Sequence, residues 1–356
     1  MARLLAWTLV AWFITGTAAR GAEPPAPLPA PVAVETALPA AGDHVPQLAY
    51  DGNPETCFRT DGPVKAGDAF TMVFAKPVRL KRVRALTGQA DGVGALGRGI
   101  LETSADGKTF AKAAEFKAAV AASGPRTGAV KALRVRVTAD QTGPLVVREI
   151  TLDADPPVPV FRYPIAVYLD ASAVPDMKDW CERARALMEG WYPTLAETLA
   201  SEGYSPPRRI DLVFKKGSRG IAGTAGSHIE AYDGWFKAHP DDYGALIHEA
   251  VHVVQSYPKY DPVWLVEGIA DYVRCWIFEP EAPRRPLDPN RIRYQDGYQV
   301  TGAFLAWLVE RHDKDIVRKL NAACRRSAYK SDLFKESTGK DLDALWAEFR
   351  EGLKAR

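Results

Sequence analysis

The sequence predicts two folded domains of different class, an all-β sandwich followed by an α+β domain. Three observations carry this expectation. Residues 46–154 hold short alternating runs ("FTMVFA", "RLKRVRALTG", "LRVRVTAD", "LVVREITL") separated by Gly, Asp and Pro turns, the texture of a sandwich or barrel. Beyond about 165, strand patterns such as "IAVYLDAS" are mixed with long helical ones. Between the two, "DADPPVPVFRYP" (153–164) concentrates prolines that break either kind of element, and it reads as a linker. A chain of 356 residues is long enough for two cores.

Ahead of both lies a leader. Arg3 supplies a positive start, "LLAWTLVAWFITG" is an apolar run too short to span a membrane comfortably, and "TAARGAE" places small residues for cleavage. Residues 1–22 are therefore expected to be a signal peptide, and the protein secreted or periplasmic. Residues 23–45 are Pro/Ala-rich with little charge and are expected to form an extended tether. No later segment reaches about 18 unbroken apolar residues, so no stable span is expected in the mature chain. The 46 basic and 44 acidic residues nearly cancel, which leaves no electrostatic basis for a nucleic-acid partner. Four cysteines occur and none sits in a CxxC pair, against a structural zinc ribbon. Their pairing stays open.

Within 46–154 the alternating runs predict strands. Only "AKAAEFKAAVAA" (111–122) has a helical spacing. "DGNPETCFRT" (51–60), "GDAFTMVFAKPVRLKRVRAL", "TSADGKTF" and a closing "RVRV…REI" pair stand in an order that resembles the discoidin or coagulation-factor type C domain. That resemblance implies a galactose-binding-like jelly-roll sandwich covering about 46–154, a glycan or cell-surface ligand, and a structural calcium in the first loop. Asp51 and Thr56 would carry the calcium. Phe58 stands where the family has Trp. The plain alternative for "DGNPET" is a tight turn held by its own side chains.

The α+β domain is expected over 155–356. "DMKDWCERARALMEGWYPTLAETLAS" repeats Trp180, Ala184, Leu187, Met188 and Trp191 at helical spacing. "RIDLVFKKG" reads as a strand, and "AGSHIEAYDGWF" (225–236) as an edge strand to which an extended peptide can add by backbone pairing. Helices are expected at 243–257, 262–277 and about 297–311. "DLDALWAEFREGLKA" is a last amphipathic helix.

The chemistry is concentrated in "LIHEAVHVVQ". His248-Glu249-Ala250-Val251-His252 is H-E-x-x-H, which on a helix puts two imidazoles on one face where both reach one ion. Glu249 lies beside them as a candidate general base. A buried helix rarely carries such groups without partners that satisfy them. A catalytic zinc takes three protein ligands and a water. Gln255 and Pro258 stand where a metzincin needs glycine and histidine. The next candidates are Glu267 and Asp271 in "DPVWLVEGIADYVR", four residues apart on one helical face, with Asp261 placed to cap that helix and Pro262 in its first turn. Gly268 in mid-helix costs about 1 kcal/mol against alanine, which points to a close helix–helix approach.

HExxH followed by ExxxD on a second helix resembles the gluzincin branch of zinc metallopeptidases. More narrowly, "HEAVHVVQ…WLVEGIADYVR…GYQVTGAFLAWL…TGKDLDALWAEF" resembles the basic secretory protein family of plants and bacteria, over roughly 160–350. The resemblance implies a zincin-like fold and a secreted zinc metalloendopeptidase that hydrolyses peptide bonds of a protein or peptide substrate. It makes His248, His252 and Glu267 the metal ligands, Glu249 the base, and Asp271 the carboxylate that orients a ligand histidine. Glu267 is preferred as third ligand, with Asp271 as the alternative. Tyr298 is the candidate donor to the developing oxyanion, with Tyr294 behind it. The alternative function is a non-catalytic carbohydrate- or surface-binding protein with a degenerate zincin domain.

Overall fold

The computed structural model describes residues 32–354. The expected signal peptide lies outside them. The chain divides between Ala166 and Val167 into two compact units. The first is an antiparallel β-sandwich and the second is α+β, the fold class the sequence predicts.

The sandwich is built from β1 (Val32–Glu35), β2 (Phe58–Val64), β3 (Ala69–Thr87), β4 (Gly99–Ser104), β5 (Ala111–Glu115), β6 (Val120–Ser123), β7 (Val130–Val137) and β8 (Gln141–Asp155). The long β3 belongs to both layers. Its first half pairs with β1 and β7, its second with β6 and β8, and the register shifts between Val73 and Val78. Pro77 has no N–H to give the ladder, so the strand can bend there from one layer to the other. Phe58, Phe70, Met72, Phe74, Leu80, Leu101, Val135 and Ile150 fill the space between.

Three sequence expectations change here. Val32–Glu35, inside the expected tether, pairs with Phe74–Thr71, and Val32 is fully buried. Its Val-Ala-Val-Glu alternation was masked by the surrounding prolines. The segment 111–122 is two strands rather than a helix. Ala118 and Ala119 both take positive φ (46° and 71°) and turn the chain between them. The proline segment after Asp155 is not a free linker. The Phe161 N–H donates to Tyr50 O (3.0 Å), the Tyr50 hydroxyl to Val158 O (2.6 Å), and the Ile165 N–H to Gln47 Oε1 (2.8 Å).

The second unit begins within β9 (Ala166–Asp170), at Val167, and goes on to α1 (Lys178–Thr198). It continues through β10 (Arg209–Lys215), β11 (Ala222–Ala225), β12 (His228–Tyr232), α2 (Asp233–Ala238), α3 (Gly244–Gln255), α4 (Val263–Tyr272), α5 (Tyr298–Arg311), α6 (Ile316–Arg325), α7 (Asp332–Thr338) and α8 (Leu342–Lys354). The sheet order is β11-β12-β10-β9, with β12 parallel to β10 and antiparallel to β11. The edge strand is therefore Ala222–Ala225, three residues earlier than expected, and His228–Tyr232 lies inside the sheet. All five apolar positions singled out in α1 are buried. Among the described residues no helix is long and apolar enough to cross a membrane.

Candidate metal centre

Helix α3 is buried nearly all round; of its twelve residues all but His252 are buried. Leu246, Ile247, Val251, Val253 and Val254 each stabilise that placement by roughly 1.5–3 kcal/mol. Both ends are fixed. At the start, Asp242 Oδ1 accepts from the Ala245 N–H (3.0 Å) and from Arg274 Nη2 (2.7 Å). At the end Ser256 turns left-handed (φ 43°), while Arg325 donates to Val254 O (2.9 Å) and Gln255 O (3.2 Å), carbonyls with no partner within the helix.

Helix α4 lies against α3. Pro262, not Asp261, occupies its N-cap position, and no side chain caps it. Gly268 explains itself at the α4–α5 contact: a Cβ there would sit 2.2 Å from Thr301 Cγ2. Any larger residue would push α5 away. The helix passes at Val273 into a π-helical turn, Val273–Phe278, two residues after Asp271.

This packing brings the predicted residues together. His248 Nε2 is 3.1 Å from Glu267 Oε2 and 3.1 Å from His252 Nε2, and His252 Nε2 is 3.7 Å from Glu267 Oε2. Among the described residues these three form the one group of three or more His, Cys, Asp or Glu side chains placed to hold a common ion. Asp271 sits elsewhere: its Oδ1 accepts from His248 Nδ1 at 2.7 Å, on the far side of the ring. His252 Nδ1 is 2.7 Å from Gln255 Oε1, and the Gln255 amide is fixed in that sense because its Nε2 donates to Val266 O (2.9 Å).

Those outer partners decide the chemistry of the centre. A carboxylate oxygen and an amide oxygen only accept, so both Nδ1 atoms must carry hydrogen. Both Nε2 lone pairs then converge with a carboxylate oxygen in a space where Glu267 is 4% exposed. Three acceptors facing one another in low dielectric need a cation between them. In the metal-free chain a proton takes that place. Burial opposes a charge on His248, but the hydrogen bonds it donates to Asp271 and Glu267 outweigh it and raise its pKa to about 10. Glu267 is likewise held well below the usual carboxylate range by the two histidines, against its burial. Two imidazole nitrogens and one carboxylate form a donor set that fits zinc.

Glu249 (9% exposed) is not part of the converging set. Its Oε2 accepts from Thr224 Oγ1 on β11 at 2.6 Å. Tyr298 opens α5 with a positive φ (46°), and its ring stacks on His248, centroids 6.2 Å apart and planes at 14°. Burial, then the charges of Glu267, Asp271 and Glu249, push its phenol well above the ordinary tyrosine range, so it stays a donor. The Tyr294 ring instead packs between Trp264 and Trp346.

Thr224 and Gln255 were not singled out as site residues from the sequence. A lone amide ending the apolar run "AVHVV" was a usable signal for Gln255. Nothing in "AGTAGS" marked Thr224.

In the sandwich, Asp51 and Thr56 make the plain turn: Asp51 Oδ2 accepts from Thr56 Oγ1 (2.8 Å) and Oδ1 from the Asn53 N–H (3.0 Å). The fold adds Glu149 of β8 beside them. Its Oε2 is buried without a hydrogen-bond partner. Burial and the charge of Asp51 raise its carboxyl to about 7.

Residues 214–349 match the model of a family described as peptidase of plants and bacteria, in agreement with the resemblance read from the motifs. No curated protein matches the chain. Among solved structures the chain is similar to CBM32-1 from a family 31 glycoside hydrolase of Clostridium perfringens (18% identity, 35% of this chain and 96% of that one, TM-score 0.30). It is also similar to the CBM32-1 and CBM32-2 domains of Clostridium perfringens ZmpB (14% identity, 34% of this chain, TM-score 0.30), of which it spans 33%. A third is the family 32 CBM of Clostridium perfringens NanJ in complex with galactose (14% identity, 34% and 92% coverage, TM-score 0.29).

Proposed function

We propose that this protein is an exported zinc-dependent endopeptidase whose sandwich unit serves as a glycan- or surface-binding module. The observation that carries the enzymatic part is the convergence of His248 Nε2, His252 Nε2 and Glu267 Oε2, with both opposite ring nitrogens committed to acceptors. When bound, zinc supplies a Lewis acid for the scissile carbonyl and lowers the pKa of a water to about 7. Glu249 accepts a proton from the attacking water and delivers it to the leaving nitrogen. Tyr298 donates its phenol hydrogen to the developing oxyanion. Asp271 and Gln255 hold the two imidazoles in the tautomer that presents Nε2. The open side of β11 offers backbone groups to an extended peptide. Elemental analysis of the purified protein is expected to find one zinc per chain. A folded protein that hydrolyses peptides with no bound metal would overturn this assignment.

The unpartnered Glu149 oxygen beside Asp51 and Thr56 supports a calcium ion in the sandwich. Both carboxylates and the threonine hydroxyl are hard oxygen donors of the kind calcium takes. A pH dependence follows. With its pKa raised from 4.5 to about 7, folded Glu149 keeps a proton that the unfolded chain gives up. Stability is therefore expected to fall as pH rises through about 4.5–7, by on the order of 3 kcal/mol. Thermal melts of the full chain in chelator should show this loss, and Glu149→Gln should flatten it. Added calcium should restore stability above pH 7 in the wild type and not in the variant. Indifference to calcium at pH 7.5 would exclude the ion.

A further inference from the structure

Resting on the assignment of Glu249 as the base, we infer that Thr224 is the positioning residue that aims its carboxylate. Thr224 Oγ1 lies 2.6 Å from Glu249 Oε2 and 3.1 Å from the Glu249 backbone O. A hydroxyl has one hydrogen to give. The carboxylate receives it, because its contact is the shorter one and a charged acceptor makes the stronger bond. One oxygen of Glu249 is thereby tied to the edge strand, and the other is left to face an attacking water. The free rotation of a glutamate side chain is reduced before substrate arrives, which is worth rate rather than affinity.

The local sequence fits this purpose. Residues 222–227 read Ala-Gly-Thr-Ala-Gly-Ser, all small, with Thr224 the one β-branched side chain. Thr has restricted χ1 freedom, so its hydroxyl is held at a fixed height above the strand. β11 also ends the sheet order, so its outer edge is open to an extended peptide. The same four residues therefore align the substrate backbone and the base. A peptide laid along β11 arrives in register with Glu249.

The test compares Thr224→Val, which keeps the shape and loses the donor, with Thr224→Ser, which keeps the donor. On a fluorogenic peptide, Thr224→Val is expected to lower kcat about 10–100-fold with KM within about twofold, and Thr224→Ser to stay within about threefold of wild type. Zinc content and melting temperature should be unchanged in both. A second readout does not need turnover: calorimetric affinity for a peptide hydroxamate, which must pass a proton to Glu249, is expected to fall about tenfold in Thr224→Val. Wild-type kcat and hydroxamate affinity in Thr224→Val, with Glu249→Gln inactive, would overturn the role of Thr224 and leave the base in place. Full activity in Glu249→Gln would overturn the base itself. Equal losses in Thr224→Val and Thr224→Ser would reduce Thr224 to packing.

Discussion

Glu249→Gln is expected to keep its zinc and lose about two to four orders of magnitude in kcat, the usual range for removing a positioned general base. That corresponds to roughly 3–5 kcal/mol of transition-state stabilisation. The substitution is nearly isosteric, and the amide can still accept from Thr224, so the geometry of the edge strand survives. What disappears is the ability to take a proton. The three converging ligand atoms belong to other residues, and Glu249 contacts none of them among its hydrogen bonds, so the metal content should not change. KM on a peptide substrate should move little, because the backbone groups of β11 are untouched. Parallel measurement of zinc content and of kcat on casein-derived peptides decides the matter. If wild type and variant both hold zinc and are equally inert across many substrates, the chain is a binding protein rather than a peptidase.

How much of this could be read beforehand depended on distance along the chain. The spacing of His248 and His252 is a property of one helix, and four residues always return to the same face. Glu267 and Asp271 were legible as a pair for the same reason. Their division of labour did not follow from spacing and came only from the family resemblance, because it depends on which of the two meets Nε2 and which meets Nδ1 once α4 is packed on α3. Gly268 announced the close approach to α5, since its cost within a helix needs a reason. The partner, Thr301, is 33 residues away and had no local mark. Thr224 stands 25 residues before Glu249 on a strand whose other residues are two alanines and a glycine. Such a strand shows no hydrophobic alternation, and pairing with β12 alone defines it. Conversely, the alanine spacing of 111–122 pointed to a helix and lost to cross-strand pairing with β3 and β4. Propensity is a weak prior where an open strand edge is available.

The division between Glu267 and Asp271 yields the other large effect. Glu267→Ala removes one of three protein ligands. If structural zinc sites gain about 10–16 kcal/mol over four ligands, one ligand is worth roughly 3–4 kcal/mol, or two to three orders of magnitude in zinc affinity. Asp271→Ala removes only the acceptor that holds the His248 ring, and a loss of about 10–100-fold is expected. The amide variants separate the two further. In Asp271→Asn the new side chain still offers an oxygen to the His248 Nδ1–H, 2.7 Å away in the native pair, so this variant should lie close to wild type. Glu267→Gln gives up the negative charge that the site offers a cation, and should fall well below it. Metal binding also has to displace a proton. With metal-free His248 raised to about 10 by Asp271 and Glu267 against its burial, zinc affinity should strengthen about tenfold per pH unit across the neutral range. Asp271→Asn should flatten part of that slope, because the neutral amide no longer favours the imidazolium. Competition titrations against a zinc chelator at several pH values measure all four variants on one scale. The reverse order, with Asp271→Asn losing more affinity than Glu267→Gln, would transfer the third ligand to Asp271.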